Sequence, residues 1–312
     1  MEGHHTVINW VEQRITRIAD SYAPDLRVLA ALRIAFGVWV VIFPINLAWI
    51  PQVPAEFFHP RPGAFFFLST PPPEGFLFVL TAITTLLGVL LAAGVWTIPV
   101  SVALSVALIT GSGISYSFSK VDHFILFELA PIFLSCAGWG RAWSVDSYIR
   151  RRRKRDQNPI SNGMPVLLYA MTIGWAMLSA AVPKVIGGWL DFDRQASRGQ
   201  LARDIIRDEK PGPLGSWIFQ IDNDAFWKFL DYATLVAEGG LIFVVFMPLI
   251  FRLWLLLLAG FHVGVFLTLG ISFVDYIFVY AVFFSPVFVW IASRAAGTTA
   301  EADELVVCHA NS

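Results

Sequence analysis

The sequence predicts an all-α protein, a polytopic bundle of about eight transmembrane helices. Of its 312 residues, 56% are hydrophobic and only 14% are charged, which is typical of helical membrane proteins rather than of water-soluble domains. Apolar runs close to the ~20 residues that cross a bilayer recur along the chain, and helices explain continuous runs of this length. The predicted spans are Leu26–Ile50, Phe76–Trp96, Ile98–Phe118, His123–Gly140, Pro165–Leu190, Phe229–Phe251, Leu253–Phe273 and Tyr276–Ser293.

The two ends of the chain differ from the predicted membrane domain, which covers residues 26–293. Residues 1–25 include charged side chains such as Glu12 and Arg14 and have no apolar core. They therefore predict a short amphipathic helix rather than a cleavable signal. Residues 294–312 predict a short polar tail, and no internal repeat or second soluble domain is recognisable.

The positive charges predict the orientation of the bundle. The connection Arg141–Met164 contains the run Arg150–Arg155, which favours the cytoplasm and contact with anionic lipid heads. Counting spans in both directions from this connection places both termini in the cytoplasm. The connection Asp191–Lys228 is then external; its interleaved acidic and basic residues weaken it as a cytoplasmic signal.

Several functional classes lack support in the sequence. The formal net charge is −1, so the chain has no electrostatic footprint for nucleic-acid binding. Its two cysteines, Cys136 and Cys308, do not suggest a disulfide or a metal site. No metal-ligand spacing, glycine-rich phosphate loop or nucleophile elbow is recognisable, so neither a metal nor a nucleotide cofactor is expected.

Ionisable residues within or at the ends of the apolar runs are the candidate functional residues, because placing one in lipid costs roughly 2.5 to 3.5 kcal/mol. Lys184 lies near the outer end of the fifth span, where its ammonium group could simply reach the interface. Buried instead, with a lowered pKa, it would be a general base. His123, at the start of the fourth span, is either an interfacial histidine or part of the same site.

Three further residues lie deeper. His262 is near the middle of the seventh span, where it lines a ligand pocket or makes an interhelical hydrogen bond. Glu128 and Glu238 are either protonated residues that bond neighbouring helices or, together with His262, the carriers of a proton or small-molecule pathway. Asp231 is expected to lie close enough to the interface to be hydrated.

Four segments, in order, resemble the HTTM (horizontally transferred transmembrane) family, which includes the membrane domain of the vitamin K-dependent gamma-carboxylase. Each motif alone is weak, but their order and spacing are more specific, and together they extend over most of the chain. They are Leu32–Gly37; Val121–Phe124 with Trp143–Asp146; Ala180–Val185 with Trp189; and Phe261–His262 with Gly270–Phe273 and Ser285–Pro286.

The resemblance implies site residues and cofactors. Lys184 matches the family's catalytic lysine, His123 its catalytically important histidine, and His262 a histidine that lines the quinone pocket. A reduced quinone resembling vitamin K hydroquinone and oxygen would be the cofactors, with carbon dioxide if the reaction is a carboxylation. The animal carboxylase continues into a large extramembrane domain that captures a propeptide; this sequence ends soon after the eighth span, so such recognition is not expected.

The leading interpretation is a multi-pass enzyme, placed in the plasma (inner) membrane with an outward-facing intramembrane pocket. There Lys184 acts as the base, His123 assists, His262 contacts the quinone, and a reduced quinone and oxygen support an oxidation, epoxidation or carboxylation of an unknown substrate. The alternative is a non-enzymatic binding, immunity or partner protein. A third class is a small-molecule or proton transporter, which the lack of repeats disfavours.

Overall fold

The computed structural model describes residues 2–60, 67–118, 124–154, 160–207 and 211–294, with side chains from Asn9 onward. Within these ranges the chain is all-helical and contains no strand, as predicted. The α-helices are α1 (Glu2–Ser21), α2 (Leu26–Ile42), α3 (Glu74–Ala93), α4 (Thr97–Tyr116), α5 (Ile125–Ala137), α6 (Val145–Arg152), α7 (Gly163–Ile186), α8 (Ala196–Ile206), α9 (Gly215–Phe219), α10 (Asp224–Gly240), α11 (Pro248–Leu269) and α12 (Tyr276–Tyr280).

Five helical stretches in the described ranges are long and apolar enough to cross a membrane. They are α3, α4, α7, α11 and Tyr276–Arg294, which begins with α12. The chain is therefore a membrane protein by the length and composition of its helices. Each of the other three predicted runs also contains a helix, but α2 and α10 have 17 residues and α5 has 13. The count of eight spans stays a prediction.

The chain divides into two compact units. Unit 1 comprises residues 1–22 and 164–279, and unit 2 comprises residues 23–163 and 280–312. In unit 2, α3 packs against α2 and α4, and α4 packs against α5. A Cβ atom on Gly37 would lie 2.6 Å from the Gly88 carbonyl oxygen, so α2 and α3 approach closely because glycine stands there. The Phe36 and Phe127 rings stack 4.4 Å apart.

The turn between α3 and α4 is held by the start of α6. The Asp146 carboxylate accepts hydrogen bonds from the backbone N–H groups of Trp96 and Thr97 at 3.0 and 2.7 Å, and the Asp146 N–H donates to the Gly94 carbonyl at 3.0 Å. Fully buried Arg33 donates to the Trp143 carbonyl at 2.5 Å and is attracted electrostatically to Asp146. The arginine of the Leu32–Gly37 motif and the aspartate of the Trp143–Asp146 motif thus build one structural cluster.

In unit 1, α10 packs against α8 and α11, and α9 packs against α8 and α11. The end of α1 is fixed through Tyr22, whose hydroxyl donates to the Val245 carbonyl at 2.7 Å and whose ring packs edge-on against Phe251. Burial raises the pKa of the Tyr22 phenol, although nearby Arg252 opposes this effect, so the hydroxyl keeps its proton and remains a donor.

Candidate functional site

The candidate site lies in unit 1 and is built from the end of α7 together with α10 and α11. Lys184 lies in the last turn of α7, directly after Pro183. Its carbonyl accepts from the Trp189 N–H at 3.2 Å, and Gly188, with φ of +83°, lets the chain turn sharply after the helix. This turn brings the Trp189 ring to 5.6 Å from the Lys184 ammonium group.

The Lys184 ammonium group contacts the Glu238 carboxylate of α10, and the pair forms a salt bridge. The side chain of Lys184 is 25% exposed and that of Glu238 is 9% exposed. The two helices are in contact beside this pair, because a Cβ atom on Gly239 would lie at an ordinary van der Waals distance, 3.5 Å, from that of Ala181. Lys184 therefore has a specific carboxylate partner.

An amine and a carboxylate in direct contact can exchange a proton. Once the Lys184 ammonium group has given one proton to the Glu238 carboxylate, the neutral amine of Lys184, the more exposed partner, can accept a proton from a group that approaches it. Sequence reasoning identified both residues but did not connect them, since 54 positions separate them in the chain.

His262 lies on α11, which packs against α10 in the same unit. The residue is 7% exposed, and its ring stacks on Phe273 with a centroid distance of 4.2 Å and an interplanar angle of 11°. Tyr276 meets it edge-on at 4.9 Å. A planar ligand that stacks on the face covered by Phe273 would have to displace that ring. Quinone binding by His262 stays a prediction.

We expect His262→Ala to destabilise the protein by about 2–4 kcal/mol, because it removes a buried, stacked ring and leaves a cavity. His262→Phe keeps an aromatic ring against Phe273 and should lose less. Thermal unfolding in detergent measures both variants. If alanine leaves the unfolding temperature unchanged, the packing role assigned to His262 is wrong.

His123 lies outside the described residues, as do Lys120 and Asp122. Its predicted role beside Lys184 therefore stays a prediction. Glu128 is buried in unit 2, where its carboxylate accepts a hydrogen bond from the Ser112 hydroxyl of α4. This contact between α5 and α4 agrees with the interpretation of Glu128 as a residue that bonds neighbouring helices.

The expectation that Asp231 is hydrated is wrong, because the residue is fully buried. Its carboxylate accepts from the Lys228 ammonium group at 3.0 Å, from the Ala196 and Ser197 N–H groups at 3.0 and 2.7 Å, and from the Ser197 hydroxyl at 2.6 Å. Lys228 also donates to the carbonyls of Trp189 and Asp191, at 3.2 and 2.6 Å.

This network fixes the segment after Lys184. Asp231 caps the first turn of α8, and Lys228 holds the chain at Trp189, the residue whose ring faces the Lys184 ammonium group. Sequence reasoning missed the network. The available signal was the spacing of three residues between Lys228 and Asp231, which puts both on one helix face.

The described residues contain no group of three or more histidine, cysteine, aspartate or glutamate side chains placed to hold a metal ion. Unit 2 has an open groove of about 280 Å³ whose walls include Pro44, Asn46, Glu74, Phe78 and Thr81. Lys184 and His262 do not line this groove. No protein-family model, curated protein or solved structure matches the chain.

Proposed function

We propose that the chain is an integral membrane enzyme of the HTTM type in which Lys184 is the general base. The observation that carries the proposal is the contact of Lys184 with Glu238 at the end of an apolar helix long enough to span the membrane. Such a pair would combine a proton acceptor with a second, more buried proton carrier.

The surroundings of Lys184 suit a lipid-soluble ligand. The ammonium group is partly exposed, the Trp189 ring borders it, and α7 is apolar along its length. A reduced quinone bound there would supply an ionisable hydroxyl group and the electrons needed to reduce oxygen. Glu238 would take one proton of the Lys184 ammonium group at a carboxylate oxygen, and the neutral Nζ of Lys184 would then accept the proton of a bound hydroxyl group. His262 would contribute to the pocket wall from α11.

The remaining parts of the proposal follow from the resemblance and from the charge distribution. His123 assists Lys184, the spans number eight, both termini are cytoplasmic, and the pocket opens toward the outside of the plasma membrane. Anionic lipid heads contact Arg150–Arg155. With oxygen the reaction is an oxidation or epoxidation, and with carbon dioxide as an additional reactant it is a carboxylation.

The test is to purify the protein in a mild detergent, to identify the lipids that copurify, and to add reduced quinone. We expect a bound quinone in the extract and oxygen uptake that depends on both the protein and the reduced quinone. The test contradicts the enzymatic proposal if no quinone copurifies and oxygen uptake equals that of buffer. A non-enzymatic membrane protein would then be the better interpretation.

A further inference from the structure

The surface of α6 combines exposed apolar side chains with a cluster of cations. We call it the α6 surface and define it by Trp143, Val145, Tyr148 and Ile149 together with the cations Arg151–Lys154. Trp143 is 60% exposed and Tyr148 is 55% exposed, and all the cations of the cluster are exposed. Large apolar groups in contact with water are unfavourable, so this arrangement indicates a surface that meets another phase or molecule.

The first turn of α6 is attached to the turn that joins two candidate spans, α3 and α4. Asp146, in the first turn of α6, binds the N–H groups of Trp96 and Thr97 at the start of α4 and the carbonyl of Gly94 directly after α3. Since α3 and α4 each have the length and hydropathy to cross a bilayer, the turn between them lies at a membrane boundary. The first turn of α6 is therefore held at the same boundary.

The side chains of α6 are divided between an apolar and a basic part. Val145, Tyr148 and Ile149 recur at intervals of three and four residues and so share one helix face. The Arg152 guanidinium lies 4.7 Å from the centroid of the Tyr148 ring, at the edge of that face. Arg150 donates to the Gly140 carbonyl at 2.6 Å, which fixes the helix against the preceding turn.

The cations are concentrated at one end of this short helix. Arg151 and Arg152 are in its last turn, and Arg153 and Lys154 follow directly. No described acidic side chain forms a salt bridge with any of these four residues, and none of the four has a resolved hydrogen bond through its charged group. Four neighbouring positive charges without bound carboxylates favour an anionic partner, and apolar rings beside them favour one with acyl chains.

We propose that α6 lies in the plane of the bilayer surface as a binding site for anionic phospholipid. The side chains of Val145, Tyr148 and Ile149 lie among the acyl chains, and Arg151–Lys154 bind the phosphate-bearing head groups. Because Asp146 joins α6 to the first turn of α4, bound anionic lipid also stabilises the turn between α3 and α4. This proposal does not depend on the proposed enzymatic function.

The test compares thermal unfolding of the purified full chain in nanodiscs of phosphatidylcholine alone and of phosphatidylcholine with phosphatidylglycerol. We expect phosphatidylglycerol to raise the unfolding temperature of the wild type. The variant Arg151→Gln/Arg153→Gln/Lys154→Gln should lose most of that increase. The matched control, Arg194→Gln/Arg203→Gln/Arg207→Gln, removes the same charge from another connection and should keep the increase.

A second measurement detects insertion directly. In a background with Cys136→Ser and Cys308→Ser, Ile149→Cys and Arg153→Cys are each labelled with an environment-sensitive fluorophore. We expect the label at position 149 to report an apolar surrounding and the label at position 153 to be accessible to an aqueous quencher. Equal quenching at both positions overturns the in-plane placement, and an undiminished phosphatidylglycerol effect in the triple-glutamine variant overturns the lipid site.

Discussion

Lys184→Ala is expected to reduce the rate of reduced-quinone oxidation at least about 100-fold, because a positioned general base contributes on the order of 10²–10⁴ in rate. Lys184→Arg should reduce this rate as well, since a guanidinium group remains protonated and cannot accept a proton. The rate is measured in nanodiscs as quinone oxidation and as oxygen uptake. A small exogenous amine is expected to restore part of the rate in the alanine variant.

Glu238→Gln separates proton transfer from packing, because glutamine has nearly the same shape but no ionisable carboxyl group. We expect an intermediate loss of rate, and less than an additive effect when it is combined with Lys184→Ala, since the two residues act as a coupled pair. Asp224→Asn, which alters an exposed carboxylate on the same helix, is the matched control and should retain the wild-type rate. Full activity of Lys184→Ala would remove the proposed mechanism but not the helical fold.

The largest loss of stability is expected from Asp231→Ala. The substitution leaves the Lys228 ammonium group buried without its carboxylate and removes the acceptor for the first turn of α8. Removing one partner of a buried ion pair typically costs 3–5 kcal/mol, so we expect a loss of about 3–5 kcal/mol in the free energy of unfolding. Denaturant titration of the detergent-solubilised protein measures this loss.

The matched control for this prediction is Asp222→Ala, which removes a carboxylate from an ion pair whose Asp222 side chain is 90% exposed. It should cost no more than about 1 kcal/mol, the upper range for surface pairs. Lys228→Met/Asp231→Leu removes both charges and should recover part of the stability lost by Asp231→Ala. Equal stability of Asp231→Ala and Asp222→Ala would contradict the structural importance of the buried network.

The hydropathy pattern of the sequence was sufficient to predict where helices form, but it predicted their ends less well. Each predicted span contains a helix because uninterrupted apolar residues favour hydrogen bonding within the chain. The predicted span His123–Gly140 corresponds to only 13 helical residues, Ile125–Ala137, since Gly138 turns the chain with φ of +107°. Leu26–Ile50 likewise contains a helix that ends at Ile42, followed by the sequence Phe43-Pro44.

The sequence by itself determined that the chain is helical and membrane-bound and that Lys184 and Glu238 merit attention, because hydropathy and isolated charges are properties of single segments. Only the tertiary structure decided which charges meet. It joined Lys184 to Glu238, buried Asp231 under α8, and placed Asp146 at the start of α4. Such pairs depend on close packing between helices distant in sequence, and hydropathy patterns contain no information about which helix faces approach one another.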